Sequence, residues 1–212
     1  MKIRTKKLEK KEVSRGGKIF GFMHVATMNN WKDIVNELLD FARKSGLLCE
    51  TELLTLVILG RNSRKLAVPF SLRLPNREDL RLIRYPVNSK IISGGNNLRR
   101  YEGPTIKELW KKCNDTDEEF YVYYVHTKGA SYGSNFKSDK WRRAMASVIL
   151  GAGWRECVDM LKSGKETCGI MRRKNHYAGN FWWARASYIR TLERPKTTRN
   201  RFYYENWLNL QD

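Results

Sequence analysis

Phe120-Tyr121-Val122-Tyr123-Tyr124-Val125-His126-Thr127-Lys128-Gly129 is an apolar run that stops abruptly on hydrogen-bond donors and a glycine. Aromatic and β-branched residues in such a run favour a strand. Downstream lies Gly179-Asn180-Phe181-Trp182-Trp183, a small-residue turn that delivers an amide and three consecutive aromatics. A strand that ends on donors beside an aromatic wall suits an α/β domain that holds a phosphorylated, sugar-bearing ligand.

Strand and helix patterns alternate on either side of this pair. Residues 19–25 are a short apolar run leading into Ala26-Thr27-Met28-Asn29, a strand followed by a polar turn. Trp31, Ile34, Val35, Leu38, Leu39 and Ala42 then recur at helical spacing, with Asn29 or Asn30 as N-cap and Gly46 past the end. Residues 53–59 form a continuous apolar run closed by Gly60, the pattern of a strand covered on both faces. Residues 80–85 are another strand candidate, stopped by Pro86, and residues 86–103, with two glycines and two asparagines in a row, are expected to be a loop. Thr105 and Glu108 form a capping box for a helix through Trp110. Ser138 is expected to cap one long helix reaching Leu161, and residues 170–171 and 181–184 are short strands. Residues 187–192 and 203–210 are expected to be helical.

This order predicts an α/β fold. A Rossmann-like domain spanning residues 18–212 would carry a central, mainly parallel mixed sheet of about six strands, flanked by helices. Residues 1–17 read as a basic N-terminal arm. In such sheets ligands bind beyond the carboxyl ends of the strands. The polar strand ends at 27–29, 60–62, Tyr85 and 126–128 should therefore meet in one crevice.

Composition narrows the partners. The 212 residues are 41% hydrophobic and 12% aromatic, enough for a packed core, and no apolar run is long enough to span a bilayer. The N-terminus lacks the apolar segment of a signal peptide, so a cytoplasmic location is expected. Cys49, Cys113, Cys157 and Cys168 show no metal-type spacing and are expected to be reduced thiols. The net charge of +19 favours polyanionic partners, whether phosphorylated small molecules, nucleic acid or an anionic membrane. P-loop, GxGxxG, GxSxG and HExxH signatures are absent, as are helix-turn-helix, RRM and zinc-finger patterns.

Five places in the chain could carry chemistry. Lys128 can neutralise a diphosphate and Gly129 lets backbone N–H groups approach it. His126 can donate to a phosphate or ligate a divalent ion, or the segment is a plain turn at a strand end. Phe181 and Trp183 share one strand face and Trp182 takes the other. One face enters the core, and the other either packs too or offers a platform for a sugar ring. Glu205 lies among aromatics in Arg201-Phe202-Tyr203-Tyr204-Glu205-Asn206-Trp207. It is either a general base in an apolar setting or the partner of Arg201 at i, i+4. His24 sits inside the first strand and reads as a core histidine. Asp115-Thr116-Asp117 has the spacing of a shared metal site, but it precedes the strand and reads as a solvated acidic turn.

Several of these pieces together resemble a family of GT-A-type glycosyltransferases. The matching segments are His24-Val25-Ala26-Thr27 with Asn30-Trp31, and Tyr101-Glu102 with Pro104-Thr105. They continue through Tyr124-Val125-His126-Thr127-Lys128-Gly129, Trp141-Arg142, Gly179-Asn180-Phe181-Trp182-Trp183-Ala184, and Tyr204-Glu205 with Trp207. The likeness extends to those members that glycosylate a viral capsid protein in the host cytoplasm. It implies a GT-A fold, a UDP-linked sugar donor, a glycan acceptor on a protein, and Mn²⁺ or Mg²⁺. By position it implies that Ala26, Thr27, Asn29, Tyr85, Glu102, Thr105, His126, Lys128 and Gly129 line the donor pocket. Asn180, Trp182 and Trp183 would face the sugars, Glu205 would be the base, and His126 would share in catalysis. The strand end that carries DxD in such enzymes here reads His126-Thr127-Lys128, so no metal ligands are assigned. Further domains beyond Asp212 are compatible with the likeness. The alternatives are a basic nucleic-acid-binding module, against which the resemblance weighs, and a non-catalytic carbohydrate-binding relative.

Overall fold

A computed structural model describes residues 17–61, 63, 86, 88–133 and 135–208. The basic arm up to residue 16, the strand expected over 80–85, and Tyr85 lie outside the described residues.

Among the described residues, six strands form one mixed sheet. β1 (Ile19–Ala26), β2 (Thr51–Leu59), β3 (Ser89–Gly95) and β4 (Tyr121–His126) run parallel, in the spatial order β3-β2-β1-β4. β5 (Thr167–Gly169) and β6 (Trp182–Arg185) extend the sheet beyond β4, where β6 pairs antiparallel with both β4 and β5. The α/β expectation, with a mainly parallel mixed sheet, holds.

β4 lies in the interior of the sheet, as its apolar run requires. Tyr123 and Val125 point into one core layer, and Val122 and Tyr124 into the other. The first layer is closed by α1 (Trp31–Lys44), α4 (Phe136–Ile149) and α5 (Trp154–Lys162). The second is closed by α3 (Gly103–Asn114), α6 (Ala186–Thr191) and α7 (Arg201–Glu205). A short α2 (Leu47–Glu50) links α1 to β2.

Three local expectations are corrected. The segment read as a loop at 86–103 contains β3, an edge strand whose residues are mostly half-buried and whose pattern is therefore weak. Pairing with Leu54–Leu59 overrides its glycines. The capping box is not one: α3 already starts at Gly103, and the Thr105 hydroxyl is buried against His24 at 2.9 Å. The long helix from Ser138 to Leu161 is two helices. Asn135, not Ser138, is the N-cap, its side chain accepting from the Ser138 N–H. The break falls at Gly151-Ala152-Gly153, where glycines weaken a helix. A Cβ on Gly151 would also approach the Ser147 carbonyl oxygen to 2.5 Å. No helix among the described residues is long and apolar enough to cross a membrane.

Candidate functional site

The carboxyl ends of β1, β2 and β4 open into a cavity of about 340 Å³, within the usual size range for ligand sites. Its lining includes apolar groups, from Ala26, Met28, Leu59, Leu98 and Tyr101. It also includes charged and polar ones, from Glu102, His126, Lys128, Arg201 and Glu205. Arg99 and Tyr132 also line it. The convergence of strand ends expected from the sequence is therefore present at β1, β2 and β4.

β4 delivers His126 to the cavity wall. The ring is stacked near Tyr124, with centroids 6.3 Å apart, and meets the edge of Phe181. Its Nε2 lies 2.9 Å from the Gly179 carbonyl oxygen. A carbonyl only accepts, so Nε2 carries the proton and Nδ1 is left with a lone pair. Burial first, and the Lys128 ammonium second, hold the His126 pKa well below its ordinary value. The ring is thus neutral near pH 7, and its 3.5 Å approach to Glu102 Oε1 is a polar contact rather than an ion pair.

Glu102 sits at the N-cap of α3 with its side chain 9% exposed. Burial is the main cause that pushes its pKa up to about 7, and the Glu205 charge adds to it. Lys128, Arg201 and the Asn180 amide oppose the rise. Glu205, on α7, accepts from Arg201 Nε at 3.0 Å. Both sequence readings of Glu205 therefore hold at once: it pairs with Arg201 at i, i+4, and it lines the cavity. Asn200 caps α7 by accepting from the Phe202 N–H.

Arg142 anchors the Lys128 turn. Its guanidinium, 3% exposed, donates to Glu37 at 2.8 Å, Asp139 at 2.7 Å and the Lys128 carbonyl oxygen at 2.9 Å. Lysine cannot reproduce that fork. Arg142→Lys is expected to cost about 1–3 kcal/mol of stability, read from urea unfolding, because half-buried acceptors lose their donors.

The cavity gathers Ala26, Glu102, His126, Lys128, Gly129 and Glu205 from the expected site residues. Thr27 and Asn29 instead tie loops together. The Thr27 hydroxyl donates to the Leu59 and Arg61 carbonyls, and the Asn29 amide donates to the Ala130 carbonyl. Thr105 is fully buried beneath His24, and His24 is a core histidine as expected, held near a pKa of about 3 by burial. The sugar-facing expectation for Trp182 and Trp183 is corrected. Both indoles are no more than 1% exposed, because β6 is flanked by β4 and β5 and each sheet face there is covered by helices. They do alternate: Trp183 and Phe181 enter one core layer and Trp182 the other. Asn180 is also buried, at φ +58, and accepts from the Trp182 indole at 2.9 Å. Asp115 and Asp117 are exposed in the turn between α3 and β4, away from the cavity. Arg99 and Tyr132 carry no sequence signal of a site, since neither lies in an amphipathic pattern that announces its side.

The fold and the cavity define an α/β domain with its site at the carboxyl edge of a parallel sheet. Over residues 75–207 the chain matches the family described as a Domain of unknown function (DUF8361), and it belongs to that family. No curated protein matches the chain.

Proposed function

We propose that the chain is a GT-A-type glycosyltransferase that moves a sugar from a UDP-linked donor to a hydroxyl of a protein-linked glycan. The observation that carries this reading is the cavity at the carboxyl ends of β1, β2 and β4, lined by both apolar and charged residues. Its apolar residues suit a flat ring, and Lys128 with Arg201 and Arg99 supplies positive charge for a diphosphate. The neighbouring carboxyls suit proton transfer from an attacking hydroxyl. Catalysis would come from positioning the two substrates and stabilising the departing diphosphate. The resemblance also favours a capsid glycan as acceptor and a cytoplasmic setting.

The described residues do not fit the divalent ion that the resemblance implies. At the end of β4, His126 offers a single lone pair, at Nδ1, and Lys128 brings a cation into the cavity. Glu205 is held by Arg201, and among the described residues no three His, Cys, Asp or Glu side chains cluster to hold a metal. No step is therefore assigned to a metal.

Calorimetry with UDP and UDP-sugars, with and without Mn²⁺, tests the reading. Binding is expected in the micromolar to millimolar range. Lys128→Ala should weaken it by about tenfold or more, as expected for loss of a charge-assisted hydrogen bond of about 1.5–3 kcal/mol. Absence of UDP binding at millimolar concentration would sink the proposal.

A further inference from the structure

Glu102 was expected, by position, only to border the bound nucleotide. Its surroundings point to more. Among the described residues, Glu102 Oε2, Tyr124 Oη and Asn180 Nδ2 are buried polar atoms without a hydrogen-bond partner. Such atoms are rare in folded proteins and call for an explanation. These three belong to one neighbourhood. Tyr124 senses the charges of Glu102 and Glu205, and the Asn180 amide comes near enough to Glu102 to lower its pKa without good hydrogen-bond geometry. One is an oxygen acceptor and the other two are donors with hydrogens unspent. A carboxylate formed at Glu102 would lie beside the Asn180 amide, with the Tyr124 hydroxyl within electrostatic range.

Glu205 is differently placed. It is already bonded to Arg201 and is more exposed, at 21% against 9% for the Glu102 side chain.

We propose, resting on the glycosyl-transfer reading, that Glu102 is the catalytic residue that takes the proton of the attacking hydroxyl. Glu205 is a positioning residue that holds Arg201 and sets the charge beside Glu102. In the step, the acceptor oxygen forms a bond to the anomeric carbon as the bond from that carbon to the phosphate oxygen breaks. Its electron pair leaves on the nucleoside diphosphate, and the acceptor proton passes to Glu102. The groups facing Glu102 are Glu205 and Arg201 from α7, His126 and Lys128 from the end of β4, Tyr124 within β4, and Asn180 before β6. A carboxyl poised near neutral pH by burial and by Glu205 is well matched to this work.

The test measures turnover of a panel of UDP-sugars from about pH 5 to about pH 9, with UDP affinity by calorimetry, for the wild type, Glu102→Gln and Glu205→Gln. Glu102→Gln is expected to lower kcat by about 10²–10⁴-fold while UDP affinity stays within about threefold, which also shows that the variant is folded. Glu205→Gln is expected to lower kcat by no more than about tenfold, since it only positions Arg201, and to move the acid limb of the pH profile to lower pH, since a like charge beside Glu102 is gone. Full turnover in Glu102→Gln, or loss of turnover in Glu205→Gln alone, overturns the assignment and leaves the glycosyl-transfer reading standing. A wild type that neither binds UDP nor turns over any UDP-sugar overturns that reading and this assignment with it.

Discussion

Gly179→Ala is expected to destabilise the protein by about 2–5 kcal/mol and to disturb the site as well. Gly179 has φ +87, a left-handed conformation that costs a residue with a Cβ about 1–2 kcal/mol. The added Cβ would overlap the Met145 sulfur and come within 2.9 Å of the Trp141 indole nitrogen. Met145 is fully buried, so it has nowhere to swing, and overpacking of this kind costs about 1–3 kcal/mol. The Gly179 carbonyl is also the acceptor that holds His126 Nε2–H at 2.9 Å, so any shift of this turn releases the ring. For a chain of this size the melting temperature should fall by roughly 5–20 °C. Gly164→Ala is the control: its φ is +100, but a Cβ there would meet nothing within 4 Å. It should cost only the backbone strain, about 1–2 kcal/mol. Equal losses in the two variants, measured by thermal denaturation, would show that the packing around Gly179 is looser than its contacts imply.

This turn also marks how far the fold and the site are legible in the sequence. The run from 120 to 129 was legible because its apolar stretch and polar end carry opposite physical demands, burial and solvation, on adjacent residues. The convergence of strand ends followed from parallel-sheet topology alone. The alternation of Phe181, Trp182 and Trp183 was legible too, since a strand has only two faces. Which faces are covered depends on β5 pairing beyond β6 and on helices from distant segments, and no local pattern carries that. Glu102 shows the same limit. Its place before a helix could be read, but the burial that defines its chemistry comes from β4, α7 and the Asn180 turn meeting over it. Edge strand β3 escaped because a half-buried strand with two glycines has a weak period.

The buried ionisable groups should give the protein a stability maximum in mildly acidic to neutral solution, bounded on each side by a different residue. His24 is neutral in the fold, with its pKa lowered by burial to about 3 from 6.5. Its contribution is complete above pH 6.5 and is lost as pH falls toward 3, up to about 5 kcal/mol. His126, lowered for the same reason, acts in the same direction. Glu102 runs the other way. Its pKa rises from 4.5 to about 7, so its contribution is complete below pH 4.5 and is lost as pH rises through 7, up to about 3 kcal/mol. Glu102→Gln removes the alkaline loss and leaves the acid one. Urea unfolding at about pH 8 should therefore find this variant more stable than the wild type by up to about 3 kcal/mol, with little difference near pH 4.5. His24→Gln keeps a hydrogen-bonding group opposite the Thr105 hydroxyl and cannot take up a charge, so its stability should fall less steeply between pH 6.5 and pH 4. A glutamine at 102 that weakens the fold equally at both pH values would mean that the Glu102 carboxylate is not the buried charge the wild type strains to hold. A gain confined to alkaline pH would mark Glu102 as a residue kept at the expense of stability, as expected of a group retained for its chemistry.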